Sequence, residues 1–359
     1  MRALTGVRKM RLLWIVVLGA AASLPAPAAA QTPPTRGLET RTDVEYGLAA
    51  GQNLLMDAYI PPGPGPFPAL VAIHGGGFVG GDKALMRGVS LYFARSGYAV
   101  FNINYRVAPA FPYPAAVLDA QTAVRFIREH AEDYKVDRLK IGAIGGSAGG
   151  TIAASLATAT NGDLSSGSGI AAAVSWSGAL DLAGVLEEKA TNSRAADDIL
   201  SYIGMPGADP SDPDVQKTLD AASPYSQLDA GDPPMFIANA EQELMPIEQA
   251  QAFVSRLMSL DIPHEFFTPP LGHALKYAAQ AEPPTSSFLD TYLKGFSGGP
   301  SEAPSSLPPS VEPTPAPNGT GGIPIFPIVI IGGIVVVLGL ALAPLISAVR
   351  RNREWRGKA

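Results

Sequence analysis

Short apolar runs alternate with stretches of helical spacing between Val44 and Leu293. That alternation predicts a mostly parallel sheet with helices on both faces, an α/β architecture. Asp43 to Tyr46 and Asn53 to Tyr59 read as an opening antiparallel pair, closed by the proline-rich turn from Pro61 to Pro68. Ala69 to Ile73 is a continuous apolar run, as expected of a strand buried on both faces, and Tyr98 to Ile103 predicts the next strand. Between them Leu85 to Ser96 carries apolar residues at helical spacing, and Ala115 to Glu132 does so over a longer stretch, with Val117, Ala120, Val124 and Ile127 on one face. Leu139 to Ile144 predicts a strand that runs through a glycine-rich turn into a helix. Ala171 to Trp176, Met235 to Ala238 and His264 to Phe267 predict the later strands, with a helix from Ile247 to Leu260 between the last two. Leu182 to Ser223 fits the alternation poorly and is the natural place for a cap over a site. No internal repeat is visible.

The two ends depart from this pattern. Residues 1–30 open with Arg2, Arg8, Lys9 and Arg11, continue through an uncharged apolar stretch, and end on Ala-Pro-Ala-Ala-Ala, a secretory signal with cleavage expected before Gln31. An uncleaved anchor is the alternative, for which the apolar stretch is short. Residues 323–349 carry no charge and reach the length of about 20 apolar residues that a membrane helix needs. Arg350, Arg351, Arg353, Arg356 and Lys358 follow within 350–359, which assigns that tail to the cytoplasm. Residues 297–322 are dense in Pro, Ser and Gly and predict an extended stalk. The globular part is therefore residues 31–296, with 182–223 as its cap, expected outside the cell membrane on a single C-terminal span.

Composition narrows the chemistry. A net charge of -6 gives no electrostatic footprint for nucleic acid, which is not expected as a partner. The chain has no cysteine, which excludes disulfides, zinc-thiolate sites and a cysteine nucleophile. Its four histidines are His74, His130, His264 and His273, and no cluster around them suggests a metal site.

Gly145-Gly146-Ser147-Ala148-Gly149 fits Gly-x-Ser-x-Gly between a predicted strand and a predicted helix. A serine on so sharp a turn needs neighbours almost free of side chain, and the turn lifts its hydroxyl to a helix N-terminus, where partial positive charge favours a developing anion. His74-Gly75-Gly76-Gly77-Phe78 follows directly on a buried strand. Glycines there leave backbone N–H groups free to bind a substrate oxygen together with the N–H of Ala148. A phosphate cradle would need a lysine and a Ser/Thr opening a helix at set spacing, and neither is in place.

A serine hydroxyl needs a general base, and only His264 and His273 follow Ser147. His264 opens an apolar strand and reads as a surface or edge residue. His273 lies in the loop beyond that strand, where ligands meet open α/β sheets, and is the expected base. His74 reads as a shaper of its glycine loop and His130 as a solvated helix residue. The acid belongs in the loop after Met235 to Ala238, which contains Glu241 and Glu243 and no aspartate. Glu243 is the choice and Glu241 the alternative.

With these residues placed, the middle of the chain resembles the esterase and lipase families of the α/β-hydrolase superfamily, the hormone-sensitive-lipase-like and carboxylesterase groups above all. The most specific stretch is Asn104-Tyr105-Arg106-Val107-Ala108-Pro109, then Phe111 to Ala116, then Asp119, similar to the family's Tyr-Arg-Leu-Ala-Pro segment. The match of His74 to Gly77 to the family's His-Gly-Gly-Gly motif implies oxyanion donors at Gly76, Gly77 and Ala148. The resemblance implies hydrolysis of carboxylic esters through an acyl-enzyme, without metal or organic cofactor. The departure lies at the acid: the family places aspartate four residues before the proline matched by Pro246, and Gln242 stands there. Glu243 then takes over from the adjacent position, or the protein is a catalytically inactive binding module that keeps the fold. A short cap of mixed polarity favours short-chain acyl esters, of small molecules or glycans, over long acyl chains. Peptidase activity is disfavoured, since no propeller or comparable gating domain is present.

Overall fold

The computed structural model describes residues 37–295 apart from 161–163, 165–166 and 189–192. The leader at 1–30, the stalk at 297–322, the span at 323–349 and the basic tail at 350–359 lie outside the described residues. Among the described residues, no helix is long and apolar enough to cross a membrane.

Eight strands form one sheet. β1 (Glu39–Ala49) and β2 (Gln52–Ile60) pair antiparallel, and β2 meets β4 (Ala99–Ile103) antiparallel. From β4 onward every pairing is parallel, through β3 (Phe67–Ile73), β5 (Val136–Gly146), β6 (Ala172–Trp176), β7 (Met235–Ala238) and β8 (His264–Phe267). The order across the sheet is β1-β2-β4-β3-β5-β6-β7-β8, so the chain crosses over near β3 and β4 and then adds strands outward in one direction. β8 is an edge strand, and His264 sits half-buried at its start, with Nδ1 2.8 Å from the Ile262 carbonyl oxygen.

The alternation of strand side chains produces two apolar layers. Ala69, Val71 and Ile73 point into one, filled by α2 (Ala115–Glu129), α3 (Ala148–Thr158) and α8 (Ile247–Ser259). Leu70 and Ala72 point into the other, covered by α1 (Arg87–Arg95) and α9 (Ala278–Leu289). Central strands coated on both faces favour apolar residues at successive positions, which explains the nearly unbroken runs in the sequence. The expected helix at Leu85 to Ser96 begins as a 3₁₀ turn, Lys83–Met86, because the Asp82 side chain accepts the Ala84 N–H at 2.7 Å and sets a tight first turn. The helix from Ala115 ends at Glu129, with His130 as its C-cap, exposed and 3.2 Å from Asp133.

The poorly patterned stretch after β6 folds as α4 (Leu182–Glu188), α5 (Ser193–Tyr202), α6 (Pro213–Ala222) and the single turn α7 (Pro224–Gln227). Its buried apolar residues, among them Ile199, Tyr202 and Leu219, join the layer formed with α2 and α3. A segment anchored in this way can hold a wall over the strand ends.

Candidate active site

Ser147 stands at the junction of β5 and α3 with φ 56° and ψ -127°, a backbone conformation that L-residues avoid. The turn is held from three directions: the Ser147 N–H donates to the Trp176 carbonyl at 2.7 Å, and the Ser147 carbonyl accepts from Gly150 at 2.8 Å and Thr151 at 3.2 Å. Glycine flanks it for a steric reason. A Cβ on Gly145 would collide with the Gly149 carbonyl, and a Cβ on Gly149 with the carbonyl oxygens of Ile73 and His74. The helix must approach strands β3 and β5 at backbone distance before the hydroxyl can rise above the sheet.

His273 follows β8 and Glu243 follows β7, both at strand C-terminal ends. The structure brings the three side chains into line. His273 Nε2 lies 2.9 Å from Ser147 Oγ, and His273 Nδ1 lies 2.5 Å from Glu243 Oε2. The imidazole is 21% exposed and the Glu243 side chain 0%. A buried carboxylate is stable only when its lone pairs are filled. Glu243 Oε1 accepts the Ala240 N–H at 2.7 Å and the Ser177 hydroxyl at 2.9 Å, while Oε2 faces the ring.

Glu241 and Gln242, the neighbours that clouded the assignment, are both exposed. The Glu241 N–H donates to the Pro269 carbonyl at 3.0 Å, and Gln242 forms a parallel bridge with Leu271, its carbonyl accepting the Gly272 N–H at 3.3 Å. These contacts bind the acid loop to the histidine loop. They use backbone at Gln242 and leave the inward side chain to Glu243.

Two further residues at the site belong to none of the sequence motifs. Ser177 is buried at the end of β6; its hydroxyl donates to Glu243, and its Oγ accepts the Ala274 N–H at 2.8 Å. Tyr277, also buried, brings its hydroxyl to 2.7 Å from Ser177 Oγ and 3.1 Å from the Ala238 carbonyl. Burial raises the Tyr277 hydroxyl well above its ordinary range, with the Glu243 charge acting in the same direction, so it remains a neutral donor. Position could have flagged both: Ser177 lies at the C-terminal end of a central strand, and Tyr277 one turn beyond the histidine.

The glycine loop lies across from the histidine. Gly76 and Gly77 line the same cavity as Ser147, Ala148 and His273. Among the described residues no acceptor takes the N–H groups of Gly76, Gly77 or Ala148. His74 is buried and stacks on Tyr105 with ring centroids 4.2 Å apart, and its Nδ1 lies 2.8 Å from the Gly75 carbonyl. Burial lowers its pKa, so the ring stays neutral and shapes the loop. The Tyr105 hydroxyl donates to the His74 carbonyl at 2.9 Å. Arg106 clasps Asp119 through Nη2 to Oδ1 at 2.7 Å and Nε to Oδ2 at 2.9 Å. The Tyr-Arg segment is thus a buttress beneath the loop.

The cavity has a volume of about 460 Å³. Ala179, Met245 and Leu275 give it apolar wall, and Arg194, Asp198 and Ile199 of α5 close it from the cap side. Among the described residues, no group of three or more His, Asp or Glu side chains could hold a metal ion.

Comparison with known proteins places the chain among relatives. The BD-FAE family model matches residues 56–257. Esterase LipC of Mycobacterium tuberculosis is 30% identical over 257 residues, covering 65% of this chain and 60% of that protein. The chain spans about three-fifths or less of the length of the curated relatives it matches. A truncated carbohydrate esterase from gut microbiota superposes with a TM-score of 0.63 at 22% identity, over 74% of this chain and 100% of that one, which speaks to the fold. A thermophilic esterase of Thermogutta terrifontis gives a TM-score of 0.57 at 26% identity, over 74% of this chain and 97% of that one.

Proposed function

The chain belongs to the BD-FAE family, and from that membership together with the line of Ser147, His273 and Glu243 we propose that it is a serine carboxylic ester hydrolase. The observation that carries the reading is the pair of contacts on one imidazole: 2.9 Å to a strained serine hydroxyl and 2.5 Å to a buried carboxylate. Ser147 Oγ attacks the ester carbonyl as His273 Nε2 takes its proton, and the oxyanion is held by the N–H groups of Gly76, Gly77 and Ala148. The imidazolium returns the proton to the leaving alcohol. Water then enters, gives its proton to His273, attacks the acyl-serine, and releases the acid and a restored hydroxyl. Glu243 fixes the tautomer with Nδ1 protonated and stabilises the charged ring.

Glu243 beside the imidazole supports the enzyme over the inactive binding protein that Gln242 suggested. A small cavity beneath a short cap supports short-chain acyl esters of small molecules or glycans as substrates. The leader, uncharged segment and basic tail read from the sequence support a catalytic domain held outside the membrane by a C-terminal span, with that terminus in the cytoplasm.

A p-nitrophenyl ester series graded from acetate to palmitate, run on the full chain, tests the reading. The highest kcat/KM is expected at acetate to butyrate, with Ser147→Ala losing about 10³-fold or more. A preference for palmitate would contradict the short-chain assignment, and undiminished turnover by Ser147→Ala would contradict the mechanism.

A further inference from the structure

Asp198 enters the cavity from α5 and is the only acidic side chain lining it among the described residues. Its carboxyl group occupies the space above Gly77: the Asp198 Cγ lies 2.9 Å from the point where a Cβ on Gly77 would stand, and Oδ2 lies closer still. Gly77 also has φ 62°, so both its backbone and its missing side chain serve this contact. The carboxylate therefore rests on one of the residues assigned to the oxyanion loop. Among the described residues it makes no hydrogen bond and no ion pair. Burial raises its pKa, and Arg194, one turn earlier on the same helix, opposes that shift. His273 and Lys276 line the same cavity.

A negative charge beside a loop that must stabilise an anion opposes the reaction unless something else occupies it. Solvent can serve in the empty cavity, but a bound ester displaces that water and leaves the carboxylate needing a donor. A substrate hydroxyl is the neutral group that meets this need, and it does so at a fixed position relative to the scissile carbonyl. On the ester-hydrolase reading, we propose that Asp198 is a specificity-determining residue that accepts a hydrogen bond from a free hydroxyl of the substrate, selecting hydroxylated esters over otherwise identical ones without a donor.

The hydroxyl can belong to the alcohol or to the acyl half, and two matched pairs separate these. One pair is a mono-O-acetylated methyl xyloside and the same acetate with its free hydroxyls methylated. The other is p-nitrophenyl hydroxyacetate and p-nitrophenyl acetate. In at least one pair the wild-type chain is expected to favour the hydroxylated member by about tenfold or more in kcat/KM, the range for a hydrogen bond to a charged group. Asp198→Ala should bring that ratio to within about twofold, chiefly by slowing the hydroxylated member. Asp198→Asn keeps the size and an acceptor oxygen, and an intermediate ratio is expected. Wild-type ratios near one in both pairs, or ratios that neither variant changes, would overturn the assignment while leaving the hydrolase intact. Failure of the wild-type chain to cleave any of the four esters would instead remove the hydrolase reading on which it rests.

Discussion

At Glu243 a single methylene decides how the candidate site is assembled. The shorter acid expected one residue earlier is replaced by an exposed Gln242 whose backbone is tied to Leu271. The longer side chain at 243 reaches the imidazole from the next position and is held there by Ala240 and Ser177. Glu243→Gln should reduce kcat by about 10³- to 10⁴-fold with little change in KM, because an amide leaves the ring in the wrong tautomer and gives the imidazolium no counter-charge. Ser177→Ala should cost about 10- to 100-fold in kcat, the worth of one hydrogen bond to a buried charge, again with KM held. Steady-state kinetics on p-nitrophenyl acetate checks both, and an equal loss in the two variants would argue against their different roles. Away from the site, burial pushes the Asp232 carboxyl up to about 6, and its Oδ1 has no partner. A carboxyl whose folded pKa exceeds its unfolded value contributes stability below about pH 4 that is lost as pH rises to about 6. Relative to wild type, Asp232→Asn should therefore gain about 1 to 2 kcal/mol between pH 4 and pH 7.5, read from urea unfolding at the two values.

Among the elements, those that position chemistry are the ones whose sequence is most constrained. β3, β7 and residues 141–146 of β5 are almost wholly buried, which requires apolar residues, and their runs could be read without ambiguity. Ser147 was legible because it follows directly on such a run, and His273 because it lies beyond Ser147 in the loop after β8. Asp198 and Ser177 were not, because their roles arise from contacts between segments distant in sequence. α9 shows a different obstacle: Pro283 and Pro284 lie inside it, a signal that ordinarily ends a helix. Ala281, Thr285, Phe288 and Leu289 are nonetheless buried on the sheet, and the Thr285 hydroxyl receives the Trp176 indole N–H at 3.1 Å. Packing outweighs local propensity there. The Arg106–Asp119 clasp is the element-level support most open to test. Asp119 is almost wholly buried, so Asp119→Ala would strand a guanidinium and should destabilise the fold by about 3 to 5 kcal/mol in chemical denaturation. A loss below about 1 kcal/mol would mean that the clasp is incidental.

At the scale of the whole described domain, the sheet delivers the loops after β3, β5, β7 and β8 to one edge, and the cap segment lies over them. The proposed ester hydrolysis stands on these loops and the cap. Its central claim is that Ser147 is a nucleophile activated by His273. The most direct measurement is labelling of the full chain with a fluorophosphonate probe, followed by peptide mass spectrometry. The account predicts one adduct, on the peptide containing Ser147, abolished in Ser147→Ala and slowed by at least about 10²-fold in His273→Ala. An unlabelled wild-type chain, or an adduct that survives Ser147→Ala, would contradict it.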